Sequence, residues 1–134
     1  MRNKLLLSIV LTLIFATAAA AQGGKAEPLR ISFAKGKTSA TRTGSLKIGE
    51  VYELVFGARA GQSVKIKIVS TAPKGKFHYF SLHGDGFDFA TESDVDDEYN
   101  FTTPEAGDYF LNINFNPKAQ AKAGRFSLTL TITN

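Results

Sequence analysis

The chain closes on the stretch Phe126-Ser127-Leu128-Thr129-Leu130-Thr131-Ile132, in which every second residue is apolar. Successive side chains of a β-strand point to opposite faces, so this pattern predicts a strand with one buried face. Because the pattern is long and regular to Thr133, we expect this strand to lie centrally or to pair with a neighbour on both sides. The same alternation occurs in three earlier stretches: Leu29–Phe33, Val64–Ile68 and Leu111–Phe115.

Further strands are predicted where aromatic and branched residues cluster between turns. The candidates are Val51–Phe56, Phe77–Leu82, Tyr99–Thr103 and a weaker, Thr-rich stretch, Ser39–Leu46. Glycine, proline and asparagine separate them at short intervals, and no stretch beyond residue 21 has a helical period. The sequence therefore predicts an all-β fold, a single antiparallel β-sandwich or jelly roll of about eight short strands over residues 29–134.

Length and composition agree with one domain. The chain has 134 residues, of which 43% are hydrophobic and 21% charged. It contains no cysteine, which excludes a disulfide scaffold, a thiolate zinc site and a cysteine nucleophile. The fold has to be held by its apolar core alone.

The first 21 residues have the features of a secretory signal peptide. Arg2 and Lys4 precede an apolar run, Leu5–Phe15, and Ala18–Ala21 supplies small residues for cleavage. The apolar run is too short for a membrane span, which needs about 20 residues. We therefore expect residues 1–21 to be cleaved, residues 22–28 to form a flexible leader, and the protein to be periplasmic or secreted, with no membrane association after cleavage. An exported domain without cysteine fits a bacterial exterior better than a eukaryotic secretory route.

Charge is segregated along the chain. The formal net charge is +4, yet residues 83–110 contain nine acidic and no basic residues. No basic run with interleaved aromatic residues occurs, so nucleic acid is a poor candidate as a partner. An acidic rim formed by this segment would instead steer association with a basic partner and make it salt-sensitive.

The sequence offers little support for catalysis. His78 and His83 are the only histidines, and an odd spacing on one strand puts them on opposite faces. The chain has neither a Gly-x-Ser-x-Gly nucleophile elbow nor a phosphate-binding loop. A pair of carboxylates for glycoside hydrolysis remains an alternative. That chemistry needs an acid with a raised pKa, and a raised pKa requires an apolar pocket around the carboxyl group. We therefore expect a protein that is not an enzyme and has no required cofactor.

The acidic segment is also a candidate calcium-binding site. The oxygen-bearing residues Asp94, Asp96, Glu98, Asn100, Thr102 and Glu105 follow the ligand spacing of a twelve-residue calcium loop. Position 6 of that loop is Tyr99 rather than glycine, and strands rather than helices flank it, so an EF-hand is rejected. The competing interpretation is a strand whose exposed face carries the even-numbered residues. Asp94, Asp96 and Glu98 remain candidate ligands of a surface calcium site.

The segment Pro104-Glu105-Ala106-Gly107-Asp108-Tyr109 is typical of a tight turn before a strand. Gly107 can supply an unusual backbone angle, and Tyr109 is placed as in a tyrosine corner, with its ring in the core and its hydroxyl bonded to nearby backbone. The same turn can form a binding rim, because a rigid loop loses little entropy when it meets a partner.

A family resemblance follows from a series of motifs along the chain. They are Ile31–Ala40, Gly44-Ser45-Leu46, Tyr52-Glu53-Leu54, Ala58–Val64, Pro104–Tyr109 and the closing strand. Together they resemble the bacterial periplasmic inhibitors of goose-type lysozyme and their relatives that inhibit invertebrate-type lysozyme. The same motifs are also similar to pre-peptidase C-terminal type sandwich domains, which accompany secreted enzymes.

The resemblance implies a sandwich that blocks a lysozyme cleft with inserted loops, among them a Ser-Gly-x-Tyr motif. The matching positions here are Ala106-Gly107-Asp108-Tyr109, with alanine in place of serine. The expected function is a non-catalytic binding protein that occludes the cleft with residues 83–98 and 104–109. The alternative is a pre-peptidase-like module that binds calcium, glycan or a cell-envelope component. The candidate partner-binding residues are Asp85, Asp88, Glu105, Ala106, Gly107, Asp108 and Tyr109.

Overall fold

The computed structural model describes residues 27–117 and 121–134, which form two packed β-sheets. The predicted signal peptide and residues 22–26 of the leader lie outside the described residues. The strands are β1 (Leu29–Arg30), β2 (Ser39–Lys47), β3 (Val51–Ala58), β4 (Ser63–Ala72), β5 (Lys74–Gly75), β6 (His78–Gly84), β7 (Glu98–Thr102), β8 (Gly107–Phe115) and β9 (Ala123–Thr133). No helix long and apolar enough to cross a membrane occurs in these two ranges.

Each sheet has a simple strand order. The first sheet runs β1-β3-β8-β6, and the second runs β2-β9-β4 with β5 and β7 both on the far side of β4. The predicted all-β sandwich is confirmed. The closing strand β9 pairs with all nine residues of β2 on one side and with β4 on its other side, so its predicted central position is also confirmed.

The core lies between the sheets and follows the alternation of the sequence. The inward side chains of β9 are almost fully buried, and so are those of β8 opposite them. The residues concerned are Phe126, Leu128, Leu130 and Ile132 on β9, with Tyr109, Leu111, Ile113 and Phe115 on β8. The domain is therefore stabilised by one continuous apolar cluster.

The acidic segment joins the two sheets at one side. After β6 the chain turns back along that strand, where the Phe80 N–H donates to Val95 O at 2.7 Å and the Val95 N–H donates to Phe80 O at 2.8 Å. It then enters β7 in the other sheet. Residues 85–97 thus cover the β6 edge of the first sheet and keep most of their carboxylates exposed.

The first strand differs from the expectation. A strand was predicted over Leu29–Phe33 in an antiparallel sandwich, but β1 has only two residues and runs parallel to β3. The Ile31 N–H still donates to Val55 O at 2.8 Å, after which the chain leaves the first sheet and reaches β2 in the second. The need to change sheets within a few residues ends the strand early.

A buried histidine connects three strands. His78 is 1% exposed, whereas His83 is exposed on the opposite face of β6, as the spacing predicted. The Ser70 hydroxyl accepts the N–H groups of Phe77 and His78, so its own hydrogen is directed to His78 Nδ1 at 2.8 Å. The single ring proton of His78 is then on Nε2, which donates to Gly124 O at 3.2 Å. This arrangement requires a neutral ring.

Acid should weaken the fold through His78. Burial lowers the pKa of His78 below its usual value, whereas in the unfolded chain the ring titrates near about 6.5. The unfolded state therefore binds more protons, so stability is complete above the unfolded pKa and falls as the pH drops through it towards the folded pKa. We expect the urea midpoint to decrease over this range, before the carboxylates titrate.

Two histidine variants isolate this effect. His78→Gln should lower the midpoint overall and remove its pH dependence near neutral pH, because the side chain no longer titrates. His83→Gln is the matched control and should behave like the unaltered chain. An equal pH dependence in the His78→Gln variant would contradict the assignment.

Candidate functional site

Three turns meet at one end of the sandwich, and we call this surface the rim. It comprises residues 59–62, 84–88 and 103–108, together with the side chain of Arg30. The turns meet because β3, β6 and β7 end there while β4 and β8 begin there. Backbone hydrogen bonds join them: Asp85 N–H donates to Asp108 O at 2.9 Å, and Gly61 N–H donates to Thr103 O at 2.8 Å.

Thr103 fixes the entry to the 103–108 turn. Its side chain is buried, and its hydroxyl accepts the Gln62 N–H at 2.9 Å while donating to Arg59 O. Its own N–H donates to Gln62 O at 2.9 Å. The first residue of the turn is therefore held by the neighbouring 59–62 turn.

Tyr109 fixes the exit from the same turn. Its side chain is fully buried and its ring stacks on Phe56, with centroids 5.5 Å apart. The hydroxyl donates to Glu105 O at 2.7 Å, so the predicted tyrosine corner is confirmed. Burial raises the pKa of the Tyr109 phenol, which keeps the donor protonated at ordinary pH. Since the side chain lies inside the core, it positions the turn and is not itself offered to a partner.

Gly107 is required by both conformation and space. Its φ is +153°, and a Cβ at this position would lie 3.0 Å from the Phe87 ring. That ring packs edge-on against Tyr109 with centroids 5.1 Å apart. The turn thus exposes Glu105, Ala106 and Gly107 on a base fixed at both ends.

Arg30 belongs to the rim although sequence reasoning missed it. Its guanidinium makes two hydrogen bonds to Asp108, Nη1 to Oδ1 at 3.0 Å and Nη2 to Oδ2 at 2.6 Å. These bonds hold the pKa of the Asp108 carboxyl below its usual value and raise that of Arg30. The two residues are 78 positions apart, so no local pattern could have identified the pair.

The structure divides the acidic block into two groups. Asp85, Asp88, Glu105 and Asp108 lie on the rim, whereas the other five carboxylates lie along the side of the sandwich. Three of the nine form ion pairs: Asp108 with Arg30, Glu98 with Lys65 at 3.3 Å, and Asp97 with Lys76 at 3.7 Å. The rim is therefore less acidic than the sequence count alone implies.

The candidate calcium ligands are placed in different elements. Glu98 lies on β7, where it alternates with inward-facing Tyr99 and Phe101, so the strand-face interpretation is confirmed for this part of the segment. Hydrogen bonds from Asn100 and Lys65 lower the pKa of Glu98. Asp94 and Asp96 lie in the loop before β7. In residues 27–117 and 121–134, no three acidic or histidine side chains are grouped as metal ligands, and calcium binding stays a prediction.

Solved structures of similar fold include periplasmic inhibitors of g-type lysozyme. PliG from Aeromonas hydrophila matches with a TM-score of 0.65 and 21% identity, covering 79% of this chain and 96% of PliG. PliG from Salmonella Typhimurium matches with a TM-score of 0.62 and 24% identity, covering 81% and 100% of the two chains.

A second kind of neighbour is the pre-peptidase C-terminal domain of a collagenase from Bacillus anthracis. It matches with a TM-score of 0.58 and 19% identity, covering 82% of this chain and 100% of that domain. No protein-family model and no curated protein matches the chain by sequence. At these identities the likeness shows a shared sandwich fold, which confirms the predicted resemblance at the level of fold.

Proposed function

We propose that this chain is a non-catalytic, exported binding protein whose rim occludes the cleft of a goose-type lysozyme. The observation that carries the proposal is the 103–108 turn, which projects from the end of the sandwich and is held at both ends by Thr103 and Tyr109. The fold shared with the PliG inhibitors supports the same role, as does the periplasmic location in their names.

Rigidity favours this use of the turn. A loop that is already ordered loses little conformational entropy when a partner binds, so more of its contact energy appears as affinity. Ala106 at the tip has no hydroxyl, and the turn therefore presents main-chain groups and the Glu105 carboxylate rather than a serine side chain.

The Arg30–Asp108 pair removes an obstacle to binding. A lysozyme cleft holds catalytic carboxylates, and a free Asp108 beside the tip would repel them. Because Arg30 makes two hydrogen bonds to Asp108, the base of the turn has no net charge. Like charges that face each other across an interface are strongly unfavourable, so neutralising Asp108 lowers the cost of bringing the turn into the cleft.

Residual lysozyme activity tests the function. The unaltered mature chain should inhibit a goose-type lysozyme acting on cell-wall substrate. Arg30→Gln should weaken inhibition on the order of tenfold, because it exposes the Asp108 charge to the cleft. Adding Asp108→Asn to Arg30→Gln should restore most of it.

Controls separate this interpretation from others. Arg42→Gln removes an arginine from β2, away from the rim, and should leave inhibition unchanged. Failure of the double variant to recover would show that Arg30 contacts the lysozyme directly. If the unaltered chain inhibits no goose-type, invertebrate-type or chicken-type lysozyme, the proposal is wrong, and a melting temperature that rises with calcium would favour the pre-peptidase-like alternative.

A further inference from the structure

Strand β2 forms an open edge of the second sheet. It pairs with β9 on one side, and no strand of the described residues pairs with its other side. The backbone bonds Ile132 N–H to Thr38 O at 2.8 Å and Ile48 N–H to Lys122 O at 3.2 Å continue the register of the two strands. In an antiparallel pair, hydrogen-bonded residues alternate with residues whose main-chain groups point away. The residues of β2 that direct both their N–H and C=O groups outward are therefore Ser39, Thr41, Thr43 and Ser45. Lys47 also directs its N–H outward, but its C=O accepts the Glu50 N–H at 3.1 Å.

This edge lacks most of the features that protect exposed strands. Natural edges are blunted by proline, lysine, bulges or a covering segment. The four residues that direct both main-chain groups outward are serine or threonine, and the register with β9 is unbroken over nine residue pairs. The β6 edge of the other sheet, in contrast, is covered by residues 85–97. Two features protect it in part: Lys47 at the end of the strand, and Arg42 Nη1, which donates to Thr41 O at 3.0 Å.

We propose that two copies of this chain pair antiparallel along β2, around a two-fold axis at Thr43. In such a dimer, residues that direct their main-chain groups outward have to lie opposite residues of the same kind in the second copy. The two registers that form the most main-chain hydrogen bonds place the two-fold axis at position 42 or 43. A centre at position 42 would put Arg42 opposite its own copy. A centre at Thr43 instead puts Arg42 opposite Gly44 of the second copy and Ala40 opposite Leu46.

The chosen register has compatible chemistry on both faces. On the outer face Thr43 meets Thr43, Thr41 meets Ser45 and Ser39 meets Lys47, so no like charges are opposed. On the inner face, Gly44 has no side chain to collide with Arg42 of the second copy. Pairing displaces the Arg42 guanidinium from Thr41 O, and the Tyr52 ring beside Gly44 can then bind it.

The pairing leaves the proposed binding surface free. Three residue pairs that exchange two bonds each supply about six main-chain hydrogen bonds. This contact is narrow, so the dimer should be weak and depend on concentration. The rim lies beyond the Ser39 end of β2, since Asn134 after β9 bonds to Arg59 and Gln62 of the rim. Antiparallel pairing places the two rims at opposite ends of the dimer.

A single introduced cysteine tests the register, because the chain has none of its own. Residues of a hydrogen-bonded antiparallel pair have Cα atoms about 5.5 Å apart, within the range of a disulfide. Thr43→Cys should therefore form a disulfide-linked dimer under mild oxidation. Thr41→Cys, on the same face of β2, and Thr129→Cys, on β9, should stay monomeric. Equal cross-linking of all three variants, or none of Thr43→Cys, would overturn the proposal.

Sedimentation of the full mature chain gives an independent test. The unaltered chain should associate to a dimer between micromolar and millimolar protein. Thr43→Pro should abolish association without unfolding, since an edge strand tolerates proline where the N–H faces solvent. Thr43→Lys, which opposes two charges at the axis, should do the same if the proline variant is unstable. A monomer at all concentrations of the unaltered chain would show that the edge is solvated.

Discussion

A chain that ends at Arg125 is expected to remain unfolded. The deletion removes most of β9, whose inward side chains Phe126, Leu128, Leu130 and Ile132 are at most 9% exposed. Each large-to-small change at such a site costs about 2–5 kcal/mol, and a domain has only about 5–15 kcal/mol in total. The same deletion breaks the ladders to β2 and β4, so the second sheet loses its central strand.

Circular dichroism and thermal unfolding measure the outcome. The shortened chain should show no cooperative transition and no β-sheet spectrum. Deletion of Asn134 alone is the matched control: it removes the bonds to Arg59 and Gln62 but keeps β9, and the chain should still fold. A cooperative transition in the chain ending at Arg125 would mean that β2 and β4 can pair without β9.

The sequence predicted those parts of the fold that depend on local pattern. Period-two alternation identified β4, β8 and β9, because a strand with one buried face has to alternate. It also predicted that β9 is central, since its pattern is the longest. The tyrosine corner followed from six consecutive residues, 104–109, whose turn chemistry is local. In each case the physical cause lies within a few neighbouring residues.

Other features depend on contacts between distant residues. The parallel pairing of β1 depends on the path of residues 31–38, which connect the first sheet to β2 in the second. A strand of two residues is also too short to show a periodic pattern. The same holds for Arg30, which lies beside Asp108 because β1 pairs with β3 and β3 pairs with β8. Counting charges along the sequence therefore overstated the acidity of the rim.

Burial also changes which residues of the turn can meet a partner. The resemblance made all of Glu105–Tyr109 candidates, but a motif gives no information on which side chains point inward. The structure exposes Glu105, Ala106 and Gly107, and it buries Tyr109 beneath them. A tyrosine at this position is thus needed to build the surface, and its substitution tests support of the turn rather than direct contact.

Tyr109→Ala is expected to destabilise the domain by about 3–5 kcal/mol, as for other buried aromatic residues. The ring packs on Phe56, Phe87 and Phe89, with centroid distances between 5.1 and 5.5 Å, and the deletion leaves a cavity among them. The urea midpoint should fall strongly at an unchanged m-value. A small change would mean that the aromatic cluster can close over the vacated space.

Tyr109→Phe separates support of the turn from packing of the core. It keeps the ring but removes the hydrogen bond to Glu105 O, which should cost only about 1 kcal/mol. The turn then loses its anchor at one end. We therefore expect the free energy of binding to a goose-type lysozyme to decrease by more than the free energy of unfolding. Tyr79→Phe is the matched control, as Tyr79 is half-buried on β6 and its hydroxyl makes no hydrogen bond to the described residues. If Tyr109→Phe inhibits as well as the unaltered chain, the buried hydroxyl stabilises the fold without ordering the rim for a partner.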